Sequence, residues 1–196
     1  MAFWATPLTP GSGDPKRKFR FTVQFDGLDM DGSAVIWFAK SVTKPAITVT
    51  ETDHTFLDKK YYYPGRVEWN TITLTLVDPA DPAKSQDAVR QMNKLIETAG
   101  YNISTDPTAL RTMSKSNSVG ALGTIIINQL NAEGKTIESW KLTNPFIKDA
   151  KFGDLDYTGD ELIELSLELR YDWATCTIFD AEGAEVESFY QLQEKG

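Results

Sequence analysis

The stretch Leu162-Ile163-Glu164-Leu165-Ser166-Leu167-Glu168-Leu169-Arg170-Tyr171-Asp172-Trp173 decides the fold. Ile163, Leu165, Leu167, Leu169, Tyr171 and Trp173 fall on one parity, and Glu164, Ser166, Glu168, Arg170 and Asp172 fall on the other. Successive side chains of a strand point to opposite faces, so this alternation predicts a strand with one face buried and one wet.

Working outward, the last third of the chain reads as strand upon strand. Leu122 to Leu130 and Lys135 to Leu142 flank the turn residues Asn131-Ala132-Glu133-Gly134, and Asn144-Pro145 makes a break. Cys176 falls just beyond the last of these strands. Near the other end, Phe19, Phe21, Val23 and Phe25 alternate with polar residues from Lys18 onward. The Asp/Gly-rich Asp26 to Gly32 then turns the chain into the apolar run Ala34 to Ala39. Arg66 to Val77 is a further strand, whose apolar phase changes near Asn70: Val67 and Trp69 have one parity, Ile72, Leu74 and Leu76 the other. Such a change implies a bulge or a passage between two environments. One helix is expected, over 84–99, with Ala88, Val89, Met92, Leu95, Ile96 and Ala99 on one face and Gly100 as its stop. Six or seven strands and one helix predict a mainly β protein: an antiparallel β-sandwich or barrel with one flanking α-helix.

The expected organisation is an extended Pro/Gly-rich arm over 1–17, a β domain over 18–175 and an extension over 176–196. Within the domain, residues 43–65 lack regular alternation and end at Pro64-Gly65, which predicts a projecting, partly extended loop closed by a turn. Residues 102–120, rich in Ser, Thr and Asn, predict a polar loop.

Composition excludes several function classes. The chain has 196 residues, 20 Lys+Arg against 28 Asp+Glu, and a net charge of −8, which disfavours binding to a phosphate backbone. It contains one His and one Cys, so neither a disulfide nor a zinc site is expected, and His54 and Cys176 lie far apart in sequence. Ser41-Val42-Thr43-Lys44 matches S-x-x-K by chance, without a helix start or partner motifs. Phosphate-binding and nucleophile-elbow motifs are missing. Two acidic clusters, Asp26/Asp29/Asp31 and Asp154/Asp156/Asp160, break the calcium-loop pattern and read as turns. No catalytic residue, metal or cofactor is therefore expected. The opening residues lack signal-peptide order and no apolar run reaches the ~18 residues of a membrane span, which predicts a cytoplasmic chain without membrane contact.

Two segments carry a family resemblance. Tyr61-Tyr62-Tyr63-Pro64-Gly65-Arg66-Val67-Glu68-Trp69 runs into Ile72-Thr73-Leu74-Thr75; Trp140-Lys141-Leu142-Thr143-Asn144-Pro145-Phe146 continues through Phe152-Gly153-Asp154-Leu155-Asp156 to Glu164-Leu165-Ser166-Leu167. In order and spacing these resemble the tail tube proteins of contractile-tailed bacteriophages, over about residues 18 to 175. The polar stretch and the C-terminal extension depart from the family core.

The resemblance implies a non-enzymatic subunit that forms hexameric rings, stacked into a conduit for DNA inside a contractile sheath. Its implied partners are other copies of itself and the sheath, tape measure, baseplate and tail terminator proteins, with passing DNA touched only weakly. Its implied location is the virion, after assembly in the host bacterial cytoplasm. The same resemblance extends to inner tubes of phage-like injection devices and type VI secretion systems, and to baseplate tube initiators. It implies that the 43–65 segment reaches an adjacent subunit or ring through Phe56, Leu57, Tyr61, Tyr62 and Tyr63, with Trp4 as a further anchor. Carboxylates facing the channel would repel DNA. Glu164, Glu168 and Asp172 are candidates for that lining, and Lys18 and Arg20 are the alternative, because parity leaves open which sheet faces inward.

Overall fold

Strands that are apolar on alternate residues can bury one face only against a second layer. The computed structural model describes residues 15–25, 39–78, 88–101, 112–180 and 182–191, and within them two antiparallel sheets do this. The first sheet has the order β1-β6-β7-β10-β11, from β1 (Phe21–Phe25), β6 (Ile125–Leu130), β7 (Thr136–Thr143), β10 (Trp173–Phe179) and β11 (Glu185–Phe189). The second has the order β2-β5-β9-β8, from β2 (Ala39–Val42), β5 (Ile72–Val77), β9 (Glu164–Arg170) and β8 (Phe146–Lys151). Val23, Ile125, Ile127, Leu142 and Ala174 from the first meet Ile72, Leu74, Leu76, Leu165, Leu167 and Leu169 from the second in one core. Met92 and Leu95 of helix α1 (Ala88–Thr98), Ala99 just after it, and Ala121 and Leu122 of helix α2 (Lys115–Leu122) close it. The protein is thus a mainly β, antiparallel sandwich with helical cover, the class that the alternation predicts.

A third element stands outside the core. β3 (Ile47–Phe56) and β4 (Lys59–Trp69) form a two-stranded antiparallel hairpin of their own. Every residue of both strands is exposed except Trp69, which is half-buried. The 43–65 segment is therefore a hairpin, where the sequence predicted a loop. A hairpin wet on both faces has no reason to alternate, which is why its strands left no period-2 signature. Pro64-Gly65 is not a turn either. It lies inside β4 at a bulge, where Thr50 of β3 faces both Gly65 and Arg66. Proline lacks a backbone N–H and is tolerated there, and Thr50 packs so closely on Gly65 that a Cβ would come within 2.9 Å of the Thr50 carbonyl oxygen.

Other expectations need correction. The 162–173 alternation is not one strand: Leu162 and Ile163 precede β9 and are exposed, β9 ends at Arg170, Tyr171 and Asp172 cross between the sheets, and Trp173 opens β10 in the other one. Asn144-Pro145 likewise carries the chain from β7 to β8. Cys176 sits within β10, and β11 makes much of the 176–196 extension an integral edge of the first sheet. The polar stretch contains α2. Its sequence has no apolar stripe, but the Ser114 hydroxyl accepts from the Asn117 N–H at 3.2 Å, and Gly123, at φ 62°, ends it by donating to the Val119 carbonyl. Trp4, the Asp26/Asp29/Asp31 cluster, all of the 34–39 run but Ala39, and residues 102–111 lie outside the described residues.

Candidate assembly surfaces

The hairpin begins at a built joint. Thr43 and Thr73 exchange hydrogen bonds, with the Thr43 N–H donating to the Thr73 carbonyl at 3.0 Å and the Thr73 N–H to the Thr43 hydroxyl at 3.0 Å. The Asn70 N–H donates to the Ala46 carbonyl at 2.8 Å. Trp69 stacks edge-on to Tyr190 at 5.3 Å and lies 6.0 Å from Tyr171. Three elements thus meet at one aromatic cluster: the end of β4, the β9–β10 crossover and the residue after β11. Burial pushes the Tyr171 phenol up to about 12, against the pull of the Ala46 backbone, so it stays neutral in the joint.

Beyond the joint, register fixes which residues share a face. Ile47, Val49, Glu51, Asp53 and Thr55 oppose Trp69, Val67, Pro64, Tyr62 and Lys60 on one face. Thr52, His54 and Phe56 oppose Tyr63, Tyr61 and Lys59 on the other. The three consecutive tyrosines divide between the faces, Tyr61 and Tyr63 together, and the bulge shifts the parity of β4 so that Tyr62 shares its face with Val67. Lys60 pairs with Asp53 at 2.7 Å and lies over the Tyr62 ring at 5.8 Å. At the tip, the turn residue Leu57 has φ 55°, where glycine or asparagine would be unstrained, and is 84% exposed. Phe56 beside it is exposed too. A lone hairpin is marginal in water, and exposed aromatic and aliphatic side chains on both faces are what a partner surface covers.

A second exposed element escaped the sequence reading. Residues 152–163, between β8 and β9, have no regular structure, and all are exposed. Leu155, Tyr157 and Leu162 are among the most exposed apolar residues of the chain. Asp156 accepts from the Thr158 N–H at 3.0 Å and from its hydroxyl at 2.8 Å, which makes this acidic run a turn and holds the Asp156 carboxyl below its usual range. Among the described residues no group of three His, Cys, Asp or Glu side chains could hold a metal ion.

The proposed channel carboxylates separate into two kinds. Glu164 and Glu168 share the outward face of the second sheet, opposite the buried Leu165, Leu167 and Leu169. Glu164 is paired with Lys40, and Glu168 accepts from Lys148 at 2.7 Å and from the Thr71 hydroxyl at 2.7 Å. The lysine and then the threonine hold Glu168 below its usual range. Asp172 is elsewhere, in the crossover, where Lys115 at 2.7 Å and Asn144 at 2.8 Å bind it and lower its pKa. Each acid thus has its own lysine. His54 is on the hairpin and Cys176 is buried in β10, its thiol pushed up by burial, so the two do not meet.

Glu138, which sequence reasoning missed, is the most buried acid among the described residues. It is 8% exposed, and it accepts from Lys16, from Lys44 at 2.6 Å and from the Trp140 Nε1 at 2.6 Å. Burial alone would raise its pKa, but these donors hold it down at about 2. Gln129 beside it donates to the Arg17 and Arg20 carbonyls at 2.7 and 2.8 Å. The segment before β1 is thereby fastened to the first sheet. That segment leads into β1 with Lys18 and Arg20, while its Lys16 is held on Glu138 of β7; the strand at the opposite edge, β11, and the turn before it carry Glu182, Glu185 and Glu187.

No protein-family model matches the chain, and no curated protein matches it by sequence. Solved structures do. A chain of the anti-feeding prophage cap, its tube-terminating cap, superposes with a TM-score of 0.56 at 19% identity, covering 91% of this chain and 99% of that one. A chain of the sheath/tube terminator of the PVC extracellular contractile injection system, in the extended state, gives 0.56 at 17% identity over 84% and 97%. A chain of that system's sheath–tube complex gives 0.54 at 18% identity over 84% and 92%. At these identities the likeness is one of fold: the chain has the fold of proteins found in the tube-bearing assemblies of contractile injection systems, to which the tail tube resemblance of its sequence also points.

Proposed function

We propose that this chain is a structural tube subunit that closes head to tail into hexameric rings and stacks them into a conduit. The observation that carries this reading is the β3–β4 hairpin, almost wholly exposed on both faces and rich in tyrosine and aliphatic side chains. Phe56, Leu57 and Tyr61 to Tyr63 are its proposed contacts with neighbouring subunits, with Trp4 as a further anchor. The two edges of the first sheet support ring closure. Among the described residues β1 pairs only with β6 and β11 only with β10, so each leaves one edge open. An open edge invites another strand, and a basic edge meeting an acidic one repeats around a ring until it closes.

Within that role we read the chain as a phage tail tube, a passage for DNA inside a sheath, on the strength of its two motif segments. The outward face of the second sheet, with Glu164 and Glu168, is the proposed lining. Its lysine pairs temper the repulsion, so any DNA guidance there rests on a mixed, fully hydrated surface. The second reading is the inner tube of a phage-like injection device, favoured by the likeness to the anti-feeding prophage and PVC chains. Sedimentation of the purified protein tests the common claim: a concentration-dependent hexamer-sized species is expected, and a monomer at all concentrations would contradict it. Capsid and terminase genes beside this one would favour the phage over the injection device.

A further inference from the structure

The two exposed apolar elements leave the second sheet at opposite ends. The register pairs Ile72, the residue entered from the hairpin, with Leu169, and Val77 with Glu164. β8 ends at Lys151 opposite Ser166. The hairpin therefore departs at the Ile72/Leu169 end, and the 152–163 loop stands at the Val77/Glu164 end.

The loop is built to hold a shape. At its base Gly153, at φ 82°, passes so close to β9 that a Cβ would lie 2.8 Å from the Glu164 carbonyl oxygen, which pins the two ends of the loop together. The Asp156–Thr158 turn shapes its tip. Between these points Leu155 and Tyr157 project into solvent at 86% and 109% exposure. The loop carries Asp154, Asp156, Asp160 and Glu161 and no basic residue. The hairpin tip offers Phe56 and Leu57 as apolar contacts, with Asp58, Lys59 and Lys60 next to them, of which Lys60 already pairs with Asp53.

From this we infer that the 152–163 loop is the receiving surface for the β3–β4 hairpin tip of a second copy. Leu155 and Tyr157 cover Phe56 and Leu57, and the loop carboxylates face Lys59. A donor at one end and an acceptor at the other make the contact heterologous, so each copy can receive the next, and the series stays open where successive copies advance along one axis. A strand of ten residues spans about 33 Å, enough to carry the tip beyond its own subunit. The inference rests on the proposed stacking and names its contact.

Site-directed crosslinking tests it. Leu57→Cys and Tyr157→Cys are made in separate preparations on a Cys176→Ala background, each at a highly exposed position where folding is not at stake. The two proteins are mixed, allowed to assemble and oxidised. Crosslinked 57–157 pairs are expected in large excess over homodimers of either, and a Leu155→Ser/Tyr157→Ser chain is expected to form rings that lose stacking. Stacks that form normally from that serine variant, or that yield no 57–157 pair, would overturn the contact and leave the tube reading standing. A native chain that forms no rings would overturn both.

Discussion

Glu138 ties three segments together at one carboxylate: the residues before β1 through Lys16, the β2–β3 link through Lys44, and its own strand through Trp140. Its folded pKa, about 2, lies below the ordinary 4.5. A lowered carboxylate contributes stability that is complete above its unfolded value and disappears as pH falls through the folded one. The window of loss is thus from about pH 4.5 down to about pH 2. Glu138→Gln should lower stability at neutral pH by about 1–3 kcal/mol, since two half-exposed lysines lose a partner but can be resolvated. It should also flatten the pH dependence across that window, and denaturant unfolding of both forms from pH 2 to 6 checks this. Leu57 is the opposite kind of residue, strained and unsupported. Leu57→Gly should relieve about 1–2 kcal/mol of backbone strain in the hairpin turn and slow amide exchange there, yet weaken assembly. A variant that assembled better would remove any reason for leucine at the tip. Gly65→Ala should do the reverse to the backbone, pushing Thr50 away and opening the bulge, seen as faster exchange across β3 and β4 with an unchanged global melting temperature.

The elements differ in how plainly the sequence wrote them. β9 and β5 sit between two neighbours with one face on the core, so their alternation is strict and they were legible. The change of phase at Asn70 was also readable, and it marks the passage from the exposed hairpin into the second sheet. β10 and β11 were not legible: in Trp173-Ala174-Thr175-Cys176-Thr177 the inward residues are small, and β11 is exposed along most of its length. α2 depends on its caps and on burial of Ser118, Ala121 and Leu122, none of which makes an apolar stripe. For the candidate surfaces, tyrosine content and the family resemblance pointed to the hairpin, whereas the 152–163 loop was read as turn chemistry, part of a family motif and, at Leu162 and Ile163, the start of a strand, and never as a surface. Its Leu155 and Tyr157 look like ordinary apolar residues until their exposure is known. The hairpin is separate from the core, which sets a prediction at this scale. Replacing residues 48–68 by a short turn should leave the sandwich folded, with a melting temperature within a few degrees, and abolish assembly. Unfolding of the truncated chain would mean that the hairpin belongs to the core after all.

For the whole molecule the question is how copies join. A net charge of −8 makes identical subunits repel at a distance, and the proposed meeting of the β1 and β11 edges would supply local attraction that opposes it. Lys18→Glu alone and Glu185→Lys alone should each weaken ring closure, and a chain carrying both should regain it because each edge again meets its opposite. Sedimentation at low and high salt checks this, since exposed charges are screened within about 3 Å at 1 M. The central claim, that this β-sandwich is a tube subunit, is tested most directly by electron microscopy of the purified native chain at high concentration. The account predicts six-fold rings of constant diameter that stack into tubes, whereas a field of isolated monomers would contradict it.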